Sequence, residues 1–176
     1  MKVREGIGEL RFTEAEINRM ESIARSRGEA DYLLLRLWGR RGLRVSESLG
    51  LHKRDLRDKG VWITQKGGDI VLKILPPQLY EEMGKYSAKM KPDDLLFSIN
   101  RRTALNWSQQ IAKEADIENW ERAHPHRWRH FFGTFQARRT GRDPWKVKSL
   151  MGHKDLRPTA VYVDNLSPEE ELEELS

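Results

Sequence analysis

One stretch of this chain reads as β-structure, and it limits what the rest can be. Val61–Gln65 and Ile70–Leu75 are rich in β-branched residues and are split by Lys66-Gly67-Gly68-Asp69, the composition of a hairpin turn. Most of the remaining patterned segments carry helical signals. Thr13-Glu14-Ala15-Glu16 reads as a capping box opening a helix to about Ser26, with Gly28 ending it. Glu29–Gly39 carries an apolar stripe (Tyr32, Leu33, Leu35, Leu37, Trp38), Gly42 breaks it, and a short helix is predicted over Arg44–Leu49. Pro76-Pro77 starts a helix predicted to run to about Lys89, and Leu95–Ser98 reads as a short strand. Further helices are predicted over Thr103–Ala115, His126–Arg139, Pro144–Met151 and Thr159–Tyr162, and Ser167-Pro168-Glu169 has the composition of a last helix start. The expected fold is mainly α with a small antiparallel β-sheet (α+β).

A chain of 176 residues suits one domain with one core. It has no cysteine, which excludes disulfides and thiolate metal sites and fits a reducing cytosol. Its longest apolar run, near Tyr32–Leu37, is too short to span a membrane, and its first residues lack a signal-peptide core. The expected location is therefore cytoplasmic. Charge is distributed unevenly. Asp164, Glu169, Glu170, Glu171, Glu173 and Glu174 occur in residues 164–176 without one Lys or Arg. Removing these six charges from the net +5 leaves +11 on residues 1–163. A body this basic favours a polyanionic partner.

Four segments place phosphate-binding groups at defined points: Arg44 and Glu47 at a helix start, Lys66 in the hairpin turn, His126-Arg127-Trp128-Arg129-His130, and Gly152-His153 with Tyr162 nine residues later. His126 and Arg129, three apart, share one helix face. The planar fork of Arg gives paired charge-assisted bonds to non-bridging phosphate oxygens, and Arg44 offers a second fork. Lys66, a point charge on a flexible stem, can reach a leaving group. Tyr162 is a candidate nucleophile, although a free phenol with pKa about 10 needs activation by surrounding cations. Each segment alone also has an ordinary reading. Arg44 and Glu47 could be an i,i+3 surface pair, Lys66 a polar turn, and the six tryptophans (Trp38, Trp62, Trp107, Trp120, Trp128, Trp145) are best placed in core and interface.

Taken in order, the pattern Arg–Lys–His-x-x-Arg–Gly-His–Tyr resembles the catalytic domain of the tyrosine recombinase (phage-integrase) family. Gly42-Leu43-Arg44-Val45-Ser46-Glu47 is similar to the family's first box, and Lys66-Gly67 resembles its hairpin lysine. Pro125–His130, Leu150–His153 and Thr159–Tyr162 resemble its second box. The resemblance runs from about Thr13 to Asp164, nearly the whole chain. It implies a site-specific recombinase or integrase that cleaves and rejoins double-stranded DNA through a 3′-phosphotyrosine. Tyr162 would attack the scissile phosphorus, Arg44 and Arg129 would hold the non-bridging oxygens, and Lys66 would protonate the departing 5′-oxygen. His126 would bond the phosphate and help take the tyrosine proton, His153 would steady phosphate and nucleophile, and Glu47 would brace Arg44. No metal or other cofactor is implied. Phe131 and Pro158 depart from the family pattern at positions not assigned to the chemistry.

The resemblance further implies a catalytic domain over residues 1–163 and an acidic tail, 164–176, that docks onto a neighbouring subunit, giving a dimer or tetramer on DNA. The family's usual N-terminal DNA-clamping domain is expected to be absent here, or supplied by a separate DNA-binding domain or accessory protein. The competing readings are a type IB topoisomerase-like nicking-closing enzyme and a DNA-binding module that has lost catalysis. The completeness of the residue set argues against the latter.

Overall fold

The computed structural model of the chain describes residues 12–65 and 67–163. Lys66 and the acidic tail 164–176, both singled out from the sequence, lie outside the described residues. The helices are α1 (Glu14–Arg27), α2 (Glu29–Gly39), α3 (Val45–Leu49), α4 (Pro77–Tyr86), α5 (Arg101–Glu114), α6 (Pro125–Arg139), α7 (Pro144–Met151) and α8 (Arg157–Val163). Between α3 and α4 lies one antiparallel sheet of β1 (Leu56–Arg57), β2 (Gly60–Thr64) and β3 (Ile70–Ile74), in that order. The fold is thus mainly helical with a small antiparallel sheet, the class the sequence predicts.

Local signals account for most boundaries. Thr13 accepts from the Glu16 amide while the Glu16 carboxylate accepts from the Thr13 amide, closing the capping box of α1. Asn100 caps α5 with its side chain, which accepts from the Thr103 amide, starting the helix two residues before the predicted Thr103. Asp143 caps α7, which begins with Pro144 at its first position and ends on left-handed Gly152. Four differences from the sequence expectation stand out. Helix α4 stops at Tyr86, where Ser87 turns its hydroxyl back onto the Met83 carbonyl. Leu95–Ser98 forms no strand, only an isolated bridge from Leu95 to His52. The strand β1 is two residues long, too short to register as a period-two pattern. Helix α8 begins at Arg157, ahead of the predicted Thr159, and takes Pro158 into its first turn, where a missing N–H costs nothing.

Helix α2 is the centre of the core. Its residues Tyr32, Leu33, Leu34, Leu35, Leu37 and Trp38 are all buried, and it packs against α1, α4 and α6. Its burial runs nearly all round, which explains why the apolar residues exceed a simple stripe. The buried indoles find partners. Trp38 donates to Ser48 Oγ (2.8 Å), Trp128 to Ser108 Oγ (2.9 Å) and Trp107 to Asp31 (2.5 Å). Trp145, in contrast, is 64% exposed on α7 and so is not part of the core. A second, smaller cluster is separate from the main core: Phe132, Ala137, Val147, Met151 and Tyr162, from α6, α7 and α8. Phe131 belongs to the main core and stacks on Phe135.

Candidate active site

The site is built where three backbone features meet. The first is the turn after α2. Gly42 has φ +69°, and a Cβ there would overlap the Phe132 ring, so glycine is required by both backbone and space. This turn delivers Arg44 as the N-cap of α3. Glu47 accepts from the Arg44 backbone amide (2.7 Å) and from its guanidinium Nη1 (2.7 Å), and its carboxylate is buried while Arg44 remains partly exposed. The pair predicted as a possible surface bridge is therefore a one-sided clamp that fixes the fork and leaves its far edge open.

The second feature is α6. Arg129 is 3% exposed and donates to two backbone carbonyls, Gly42 O from the first turn and Met151 O (2.8 Å) at the end of α7. Two of its five N–H donors are thereby held, which sets the plane of the remaining ones. Burial, and then the nearby Arg44 charge, lowers its pKa to about 10, so it stays protonated at neutral pH. His126 lies one turn earlier. Burial lowers its pKa, followed by His124, Arg129 and Arg44, so it is a neutral imidazole at neutral pH.

The third feature is the turn between α7 and α8. Left-handed Gly152 projects His153 back over the site, where its Nδ1 bonds buried Thr159 Oγ1 at 2.9 Å. With Nδ1 engaged, Nε2 is the ring nitrogen left to meet an anion. Burial, then Arg129, Arg44 and Lys73, lowers the His153 pKa to about 4. Tyr162 is 7% exposed on α8, its ring between those of His130 (5.5 Å between centroids) and His153 (6.3 Å). Gly133 on α6 makes this possible, because a Cβ there would lie 2.6 Å from the Tyr162 ring.

Arg44, His126 and Arg129 line one cavity of about 810 Å³ together with Val45, Ser46, Arg101, Arg102, Leu105, His124 and Pro125. No carboxylate is in this lining, so the cavity is a basin for an anion. His153 and Tyr162 pack on α6 and its neighbours at the same end, within electrostatic reach of Arg129. Five of the six predicted catalytic residues, and Glu47, thus come together from α3, α6, α8 and the turn before α8. The sixth, Lys66, lies outside the described residues, but its flanks are placed. Gln65 donates to Gly152 O (3.4 Å), and Asp69 pairs with Lys154 (2.6 Å), docking the hairpin on the His153 turn. Among the described residues, no group of three His, Cys, Asp or Glu side chains could hold a metal ion.

Sequence reasoning passed over Arg101, Arg102 and His124 in the cavity wall, and Arg41, Lys73 and Thr159 beneath it. A signal existed for one of them. In β3 the inward-facing residue across from Val61 should be apolar, and it is Lys73.

A mainly helical domain with this sheet, setting paired arginines and His126 in one basic basin with His153 and Tyr162 packed beside it, defines the class. The phage integrase family model matches residues 11–168, and the chain belongs to that family. It is 31% identical over 146 residues to a tyrosine recombinase of Pseudothermotoga lettingae, covering 78% of this chain and 50% of the relative. It is also 31% identical over 148 residues to the type 1 fimbriae regulatory protein FimE of Escherichia coli, covering 77% and 74%. The chain spans about half the length of the tyrosine recombinases it matches. The fold is shared with the crystal structure of the XerA recombinase (TM-score 0.76, 24% identity, 93% of this chain and 63% of that one). It is shared equally with XerH bound to its difH substrate (TM-score 0.76, 19% identity, 95% and 54%).

Proposed function

We propose that the chain is the catalytic domain of a site-specific recombinase that breaks and rejoins double-stranded DNA. The observation that carries this reading is the convergence of Arg44, His126 and Arg129 on one acid-free basin, with His153 and Tyr162 packed beside it. In this reading the Tyr162 oxygen attacks the scissile phosphorus, the bond to the 5′-oxygen breaks, and a 3′-phosphotyrosine forms. The forks of Arg44 and Arg129 bind the non-bridging oxygens and offset the charge that grows on them. Neutral His126 bonds the phosphate and helps take the tyrosine proton, and neutral His153, its Nδ1 held by Thr159, steadies phosphate and nucleophile through Nε2. Lys66 gives a proton to the departing 5′-oxygen. Exchange of one phosphodiester for another is nearly isoenergetic, so the attacking 5′-hydroxyl of a second strand reverses the step. Arg101, Arg102 and His124 extend the basin along a neighbouring stretch of backbone.

The reading places the protein with cytoplasmic DNA, and no helix among the described residues is long and apolar enough to cross a membrane. It also makes the active unit a dimer or tetramer on DNA, with the acidic segment 164–176 docking between copies. Deleting the chain after Asp164 should then leave DNA binding intact and abolish the larger complex on sizing.

The main test uses nicked suicide duplexes with randomised sequence around the nick, incubated with the full chain and resolved on denaturing gels. Strands trapped on Tyr162, recovered and sequenced, should converge on one motif. Adducts with no sequence preference, with relaxation of any supercoiled plasmid, would favour the topoisomerase-like reading. DNA binding with no adduct would favour a module that has lost catalysis.

A further inference from the structure

The residue that fits its surroundings least well is Lys73. It is 7% exposed on β3, on the face that otherwise carries Val61, Ile63 and Val71. A lysine at such a position is costly unless its ammonium is used. Its Nζ approaches the Leu150 carbonyl (3.4 Å), and a Cβ on Gly152 would lie 2.6 Å from it. Leu150, Met151 and Gly152 end α7, where helix carbonyls lack partners along their own helix. Side chains from elsewhere take all three. Arg41 (3.1 Å) and Lys73 reach Leu150 O, Arg129 reaches Met151 O, and Gln65 reaches Gly152 O. Positive charge there also matches the negative end of the helix dipole. The next residue is His153.

We propose that Lys73 is a positioning residue for strand cleavage, a pin that seats the α7 end and so holds His153 against the phosphate basin while tying that turn to the hairpin carrying Lys66. The inference rests on the cleavage reading above. Among the described residues, the charged groups acting on Lys73 include Arg41 from the turn after α2, Arg44 and Glu47 at α3, Arg129 on α6 and His153 itself, and of these Glu47 is the anion. Burial, then Arg41 and Arg129, lowers the Lys73 pKa to about 8, and its charge in turn disfavours protonated His153. Lys73 touches no reacting atom. Its effect reaches the reaction through where His153 sits.

The test compares Lys73→Met and Lys73→Gln in the full chain. Methionine matches the volume and removes a poorly compensated charge, so the variant should fold at least as well as wild type. On a duplex selected from the randomised pool, the first-order cleavage constant should fall about 100-fold, as expected for a misplaced catalytic group. Half-saturating DNA concentration should stay within about twofold, and Lys73→Gln, which keeps a donor for Leu150 O, should recover part of the rate. Independently of DNA, the His153 imidazole followed by NMR should titrate at higher pH in Lys73→Met. Cleavage by Lys73→Met at the wild-type rate, or an unmoved His153 titration, overturns the role of Lys73 and leaves the cleavage reading standing. Parallel loss of rate and melting temperature in both variants assigns Lys73 to folding alone and overturns it too. Absence of any adduct from the wild-type chain sinks the cleavage reading and the pin with it.

Discussion

Tyr162 combines two demands that usually conflict: it is a buried member of a small core and a proposed nucleophile. Core membership fixes its ring, which is what attack on phosphorus in a narrow geometry needs. Tyr162→Phe keeps every packing atom and removes only the oxygen. It should therefore lose all SDS-resistant adduct while retaining DNA binding within about twofold, read by gel trapping and by fluorescence anisotropy. Gly133 is the counterpart of this arrangement. Gly133→Ala puts a methyl 2.6 Å from the Tyr162 ring, so α6, α8 or the ring must shift. The expected result is a loss of about 1–3 kcal/mol of stability by overpacking and about a 100-fold drop in cleavage as the oxygen moves. Wild-type cleavage in this variant would show that α8 can shift freely.

At the scale of elements, the site depends on how helices end. The turn that follows α2 holds Gly42, whose carbonyl receives Arg129, and α7 ends on Gly152, beneath which Lys73, Arg41 and Gln65 gather. Both glycines have positive φ, so L side chains are excluded by backbone strain as well as by contact. Gly42→Ala should be the more damaging of the two terminus changes because the Cβ overlaps a rigid aromatic ring, whereas at Gly152 it meets the ends of flexible side chains. A loss of at least about 2 kcal/mol is expected from strain and overpacking together, measurable by urea unfolding. Arg129 should be misplaced in whatever folds. An unchanged unfolding midpoint for Gly42→Ala would mean that the turn reshapes without cost.

The whole molecule carries a concentration of positive charge that only an anion relieves. The consequences for stability have a definite sign. His153, His126 and His124 all have pKa values below the ordinary 6.5, mainly through burial, with His153 at about 4. The unfolded chain therefore takes up protons that the native state refuses as pH falls from about 6.5 toward 4. Native stability should drop across that window and be insensitive to these groups above it. His153→Gln should flatten the slope of melting temperature between pH 7 and 5. An identical slope in the variant would place the acid sensitivity elsewhere. Sulfate, which offers a phosphate-like tetrahedron of oxygens, should raise the melting temperature by mass action in wild type and less in Arg129→Ala, compared by calorimetry at constant ionic strength.

Much of this molecule is legible in its amino-acid sequence, for a physical reason. Capping residues, Pro and Gly at helix ends and the β-branched flanks of a turn act locally, so Thr13, Asp143, Gly152 and the hairpin can be read from neighbours in the chain. The proposed set Arg44, Lys66, His126, Arg129, His153 and Tyr162 can be picked out as candidates because phosphate chemistry demands those side chains whatever surrounds them. Arg41, Arg101 and Arg102 are not, because nothing in their local sequence separates an arginine that serves the site from one that solvates a surface, and Lys73 shows only as a charge on the inward face of β3. Only packing of β3 beneath Gly152, and of α5 beside α3 and α6, makes the distinction. The sequence alone determined most of the elements and the candidate side chains they carry. Tertiary structure decided which cations are desolvated together, since burial and charge proximity depend on contacts between residues far apart in the chain.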